Sequence, residues 1–185
     1  MPIRGEQAEV HAALDGAQII LAVARTAPKS RGIDRVVTAI VADRDEIEAL
    51  ATAMEGFKDK WPTFARDAEG VRRSVAVALL GVKGSKSKGL NCGACGHRTC
   101  AEFDTAPKNV GPAYMGPNCA FYVVDLGIAL GVAAKAAVEL GLDNRIMFSA
   151  GTAARSLGLI DADLAFGIPL SVTGKNPYFD RVWPK

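Results

Sequence analysis

The chain has 185 residues, 49% apolar and 23% charged, with 22 basic against 20 acidic side chains and a formal net charge of +2. That is the length of a single globular domain with a sizeable core, and the composition excludes a disordered tail, a collagen-like chain and a coiled coil. With charge so balanced and aromatics at only 6%, neither a basic face nor a base-stacking platform is expected, which argues against a nucleic-acid partner.

Met1-Pro2-Ile3-Arg4-Gly5-Glu6 leads into a polar helix and not into an apolar signal core, so a cytoplasmic protein is expected. Val10, Leu14, Ala17, Leu21 and Ala24 recur at helical steps and predict a helix over residues 5–25. Ala27-Pro28-Lys29-Ser30-Arg31-Gly32 breaks it, and the β-branched run at 36–41 reads as a buried strand. Asp43 or Asp45 can cap a helix reaching about residue 57, with Ile47, Leu50 and Met54 as its apolar stripe. Residues 58–70 are mostly polar around Trp61-Pro62, and 74–82 read as a second buried strand. Gly84-Ser85-Lys86-Ser87-Lys88-Gly89 has the composition of a flexible basic loop. A long apolar helix is expected over 121–140. Its longest uncharged run, 126–134, is nine residues, short of the roughly 20 that cross a membrane, so no membrane span is expected. A helix over 144–157, a strand over 163–168 and an irregular tail from 169 complete the chain, giving a mixture of helices and three short strands.

All four cysteines lie in one stretch, as Cys92-Gly93-Ala94-Cys95-Gly96-His97-Arg98-Thr99-Cys100 followed by Cys119, a C-x2-C-x4-C-x18-C spacing. Four thiolates suit an iron–sulfur cubane, in which each iron takes one soft terminal ligand. Gly93 and Gly96 allow the backbone to wrap closely, and a short helix opened by Thr99 or Cys100 would favour negative charge at its start. Between 83 and 108, Lys83, Lys86, Lys88, Arg98 and Lys108 face only Glu102 and Asp104, a local excess of +3. These lysines would ease reduction of an anionic centre and steer an acidic electron donor such as a ferredoxin, or else serve only as a solvated linker. A structural zinc site also uses four cysteines, although zinc ribbons pair two C-x2-C knuckles and one is present here. Free thiols or a disulfide pair would need no shared spacing. His97 is a ligand or proton donor at the site, or a solvated loop side chain, and His11 reads as an ordinary helix-surface residue.

The run Asn91-Cys92-Gly93-Ala94-Cys95-Gly96-x3-Cys100-Ala101-Glu102-Phe103 resembles the four-iron domain of membrane electron-transport complex B subunits and corrinoid iron–sulfur proteins. This resemblance implies a [4Fe-4S] cluster on Cys92, Cys95, Cys100 and Cys119. The helix–loop–strand entry through Ala27-Pro28-Lys29-Ser30, the central helix with Asp125-Leu126-Gly127-Ile128-Ala129-Leu130, and Phe166-Gly167-Ile168-Pro169-Leu170 resemble the nitroreductase frame. Taken whole, with Leu90-Asn91-Cys92-Gly93-Ala94-Cys95-Gly96, Gly116-Pro117-Asn118-Cys119, Asp143-Asn144-Arg145-Ile146 and the ending from Gly167 to Arg181, the chain resembles the ferredoxin-domain-containing proteins of anaerobic bacteria and archaea.

The resemblance implies an α+β fold with a nitroreductase-like mixed sheet flanked by helices. It would form one domain over 1–185 carrying an inserted cluster segment at 83–119. It raises FMN as a second cofactor, with Pro28, Lys29, Ser30 and Arg31 near the ring and Lys175 near the phosphate. The Arg-x-Ser-x-Arg segment that holds the phosphate in nitroreductases is missing, and the loop Asn144-Arg145-Ile146-Met147-Phe148-Ser149 lacks their glycine. Gly127 and Gly131 with their alanine neighbours allow close helix approach, across a homodimer or within the chain. Asp125, inside an apolar helix, needs a partner and reads as a structural acid before a catalytic one. The functional expectation is electron transfer through the cluster, with any flavin receiving electrons for reduction of a small substrate. The alternatives are a regulatory or oxidant-sensing module and a structural zinc protein.

Overall fold

The computed structural model describes residues 2–179. Asp180 and Arg181 of the family-like ending, and the rest of the tail, lie outside these described residues. The first helix, α1, runs Gly5–Thr26 and is followed, after a single 3-10 turn at Ser30–Gly32, by strand β1 at Val36–Val41. Helix α2 covers Arg44–Glu55, and its start is fixed by Asp43, whose carboxylate accepts the N–H groups of Asp45 and Glu46 at 2.9 and 3.2 Å. Helix α3, Thr63–Arg72, occupies the stretch that composition leaves without an element. It forms because Phe64, Ala68 and Val71, spaced four and three apart, are buried beneath a polar outer face.

Strand β2, Ala76–Val82, is buried along its whole length. The cysteine segment follows, with helix α4 at Cys100–Thr105 and a two-residue hairpin of β3, Asn109–Val110, and β4, Met115–Gly116. Helix α5 spans Ala120–Glu139. Strand β5, Asp143–Asn144, precedes helix α6 at Phe148–Ser156, and β6 closes the described fold at Leu164–Ser171.

The main sheet has the order β1-β2-β6-β5, and each of its described pairings is antiparallel where a mixed sheet was expected. The connections are long enough to reverse the chain each time, through α2 and α3 between β1 and β2 and through the cysteine segment and α5 before β5 and β6. Alternation along β2 sends Ala76, Ala78, Leu80 and Val82 to one face, where they meet Ala13, Ala17, Ile20 and Ala24 of α1 and the inner side of α5. Val77 and Leu79 point to the other face, against α2, α3 and α6. Small residues make this three-layer packing close. A Cβ added at Gly151 on α6 would strike the Ala165 carbonyl of β6, and one at Gly167 would sit 2.7 Å from Ala150.

Two boundaries differ from expectation. The helix expected over 144–157 begins only at Phe148, because Asp143 and Asn144 pair with Ser171 and Leu170 at the sheet edge. The last strand does not stop before Pro169. Gly167 exchanges both backbone bonds with Met147, so by alternation the Pro169 nitrogen faces the same edge, at a position β5 does not reach, and no ladder bond is lost.

Candidate metal centre

Between β2 and α5 the chain leaves the sheet and returns to its starting point: the Cys119 N–H donates to the Gly84 carbonyl at 2.8 Å. Gly84 leaves room there for Asn118, whose side-chain oxygen would lie 2.5 Å from an added Cβ. The expected flexible basic loop is instead pegged by three carboxylates. The Ser85 N–H donates to Asp163 at 2.8 Å. The Ser87 N–H and hydroxyl donate to Asp104 at 2.7 and 2.9 Å. Lys88 Nζ lies 2.5 Å from Asp125. The three lysines therefore separate: Lys83 pairs with Asp161, Lys86 is exposed, and Lys88 is buried.

The four cysteines come from two segments and line one small cavity, together with Lys88 and His97. Cys92 is exposed, Cys95 and Cys100 are half-buried, and Cys119 is buried at the N-cap of α5. Positive φ at Gly89, Asn91, Gly93 and Gly96 turns the backbone repeatedly around this space. Asn91 and Cys100 are bonded reciprocally, the Cys100 N–H to Asn91 Oδ1 at 2.8 Å and the Asn91 N–H to Cys100 Sγ at 3.2 Å. The Asn91 N–H, together with the Gly89 and Leu90 N–H groups, holds the Cys100 thiol below its ordinary range, against the opposing effect of burial. Thr99 caps α4 by accepting the Glu102 N–H at 3.1 Å. Cys119 stands at the start of the much longer α5, as its N-cap residue. His97 sits edge-on to the buried Phe103 at 5.7 Å, on the wall of the cavity.

Four thiols, soft donors by their chemistry, line one shared space; among the described residues no group of three or more His, Cys, Asp or Glu is placed to hold a metal ion. Of the residues expected near a flavin, Lys29, Ser30 and Arg31 have donors engaged within the chain. Lys29 donates to the carbonyls of Ala24, Arg25 and Ala27 at 2.9, 2.6 and 2.7 Å, closing the end of α1. The Ser30 N–H and hydroxyl both donate to Asp125, at 2.9 and 2.7 Å. Arg31 donates to the Lys88 carbonyl at 2.5 Å. Pro28 is exposed, and Lys175 lies in the segment after β6, where its carbonyl accepts the Thr173 hydroxyl. Lys88 and Asp125 are the residues of the site that composition misassigns or leaves undecided. The one signal for them is a lone carboxylate in an apolar helix.

The fold and the site define an α+β protein of nitroreductase fold with a four-cysteine cavity placed between its central strand and central helix. A BluB-like flavoprotein from Clostridium difficile 630 matches 100% of this chain and 87% of its own, with TM-score 0.59 and 14% identity. A nitroreductase family protein from Clostridium novyi NT matches 93% and 76%, with TM-score 0.53 and 15% identity. A protein of Archaeoglobus fulgidus, described as uncharacterized, is 50% identical over 170 residues, 89% of each chain. Residues 115–181 match the family described as "uncharacterized protein containing a ferredoxin domain" (DUF2148), and the chain belongs to that family.

Proposed function

We propose that this protein is a redox protein holding one [4Fe-4S] cluster on Cys92, Cys95, Cys100 and Cys119 and transferring single electrons. The observation that carries this reading is the convergence of all four cysteines, three from a loop and one from the head of α5, on one cavity. The ferredoxin domain in the family description supports it. When bound, such a cluster takes up and releases one electron at a time. The residues around the cavity prepare it for an anionic centre. The nest on Cys100 favours the thiolate, and the half-buried His97, edge-on to Phe103, lines the space.

Protein purified without oxygen should contain about four irons and four sulfides per chain. Serine at any of the four cysteine positions should lower both. Stoichiometric zinc without sulfide, in protein made with ample iron, overturns the reading. Exposure of Cys92 favours one second reading, an oxidant-sensing centre, which a reversible one-electron reduction without loss of iron would set aside.

The nitroreductase likeness suggests FMN, since one structural neighbour is named a flavoprotein. With the donors of Lys29, Ser30 and Arg31 engaged, this reading places no flavin at their loop. The electron donor is taken to be acidic, such as a ferredoxin, drawn toward the exposed Lys86 and the exposed Cys92. Reduction by such a donor should slow as ionic strength rises, because exposed charges are screened beyond about 8 Å at physiological salt; a rate independent of salt counts against this approach. The assembly is taken to be a homodimer through the outer face of α5.

A further inference from the structure

Lys88 has no exposed side-chain surface, and its ammonium is fully partnered. It donates to Asp125 Oδ2 at 2.5 Å, to the Ser30 carbonyl at 2.7 Å and to the Ile33 carbonyl at 3.1 Å. It also lies 4.3 Å from the centre of the Tyr122 ring. The other carboxylate oxygen of Asp125 accepts two bonds from Ser30. Arg31, held at φ 57°, closes the arrangement from outside by donating to the Lys88 carbonyl. Three segments distant in sequence are thereby joined at one point: the 28–33 turn, the start of the cysteine loop, and α5.

The placement of this pair relates it to the cavity. Lys88 itself lines the cavity and precedes Gly89, Leu90 and Asn91, whose N–H groups face Cys100. Tyr122 and Asp125 lie on α5 about one and two turns after Cys119. The loop bearing three cysteines and the helix bearing the fourth are thus fastened to each other by groups that are not themselves ligands. The pair is neutral overall, so its effect on a neighbouring charge is small and its effect on geometry is direct.

We infer that Lys88 and Asp125 are positioning residues that clamp the cysteine loop onto α5 and set the distance of Cys119 from the other three thiols before any cofactor is bound. The inference rests on reading the four cysteines as ligands of one centre. It predicts that loosening the clamp exposes Cys119 without unfolding the protein.

The test compares the parent with the double variant Lys88→Met/Asp125→Leu, which removes both charges and leaves no unpaired buried ion. Full-length chain stripped of metal is labelled with N-ethylmaleimide, and each cysteine is followed by mass spectrometry. Cys92, already exposed, serves as the internal reference. The expected result is labelling of Cys119 roughly tenfold faster relative to Cys92, by local opening of the loop, with the thermal midpoint close to the parent's. The anaerobically purified double variant should also lose iron to a chelator faster. Cys119 labelling at the parental rate overturns the clamp. Should the double variant fail to fold, Ser30→Ala, which removes one bond to Asp125, decides in its place: a smaller rise at Cys119 supports the clamp and a parental rate overturns it. Fast labelling in a chain that never holds iron keeps the clamp and overturns the cluster. Parental labelling in a chain that holds four irons does the reverse.

Discussion

At Asp125, burial pushes the carboxyl upward, and the bonds from Lys88 and Ser30 more than reverse this, leaving it below the usual carboxylate range. Asp104 shows the same balance, burial against the two bonds from Ser87, and so does Asp34, burial against Arg25 and the Val36 N–H. A carboxyl with a lowered folded-state pKa contributes stability that is complete above its unfolded value. The contribution is lost as pH falls through the folded value, because the unfolded chain then binds more protons. The thermal midpoint of metal-stripped protein should therefore fall steeply below about pH 4. Asp125→Asn should start from a lower midpoint at neutral pH and fall less steeply. Circular dichroism melts at several pH values test this, and equal slopes for parent and variant would assign the acid sensitivity to other groups.

Among the elements, α6 and β6 are held closest. Ala150 and Gly151 bring the helix onto Ala165 and Gly167 with no room for a further carbon, and the Met147–Gly167 bridge fixes their register. Gly151→Val should cost about 3 kcal/mol or more, because the obstacle is a strand carbonyl that cannot turn aside as a side chain can. Denaturant unfolding measures the loss, and a variant within about 1 kcal/mol of the parent would mean that α6 can shift on the sheet. Helix α5 has the opposite character on its outer side. Gly127 and Gly131 would meet nothing within 4 Å if given a Cβ, so packing among the described residues does not explain them.

For the molecule as a whole, α5 is both the central helix and a partly uncovered one. It is long and apolar enough to cross a membrane by length and composition. Yet Tyr122, Asp125, Leu126, Ala129, Leu130, Ala133 and Ala137 form a continuous buried side against α1 and the sheet. Its other side leaves Val124, Ile128 and Val138 exposed beside the two glycines. A second copy meeting this side would bury them and use the glycines for close approach. Light scattering at micromolar concentration should give a dimer, and Gly131→Leu should give a folded monomer. A monomeric parent, or a Gly131→Leu variant that stays dimeric, overturns the assignment.

Sequence by itself determined the four candidate ligands and their spacing, helices α1, α2 and α5, strands β1 and β2, and the family, because these depend on local periodicity, capping and short motifs. Helix α3 was legible in the spacing of Phe64, Ala68 and Val71 but was obscured by its polar composition. Tertiary structure decided the partners of the charges. The composition that makes 84–89 read as mobile contains a lysine whose acceptor lies 37 residues away, and Ser30 meets the same carboxylate across 95 residues. Lys29 looks like an available cation until the end of α1 turns three carbonyls toward it. Asn144 looks helical until the edge of β6 offers it a backbone partner. Local propensity cannot register such choices, since the groups that settle them are brought near only when the sheet and its two helical layers have closed.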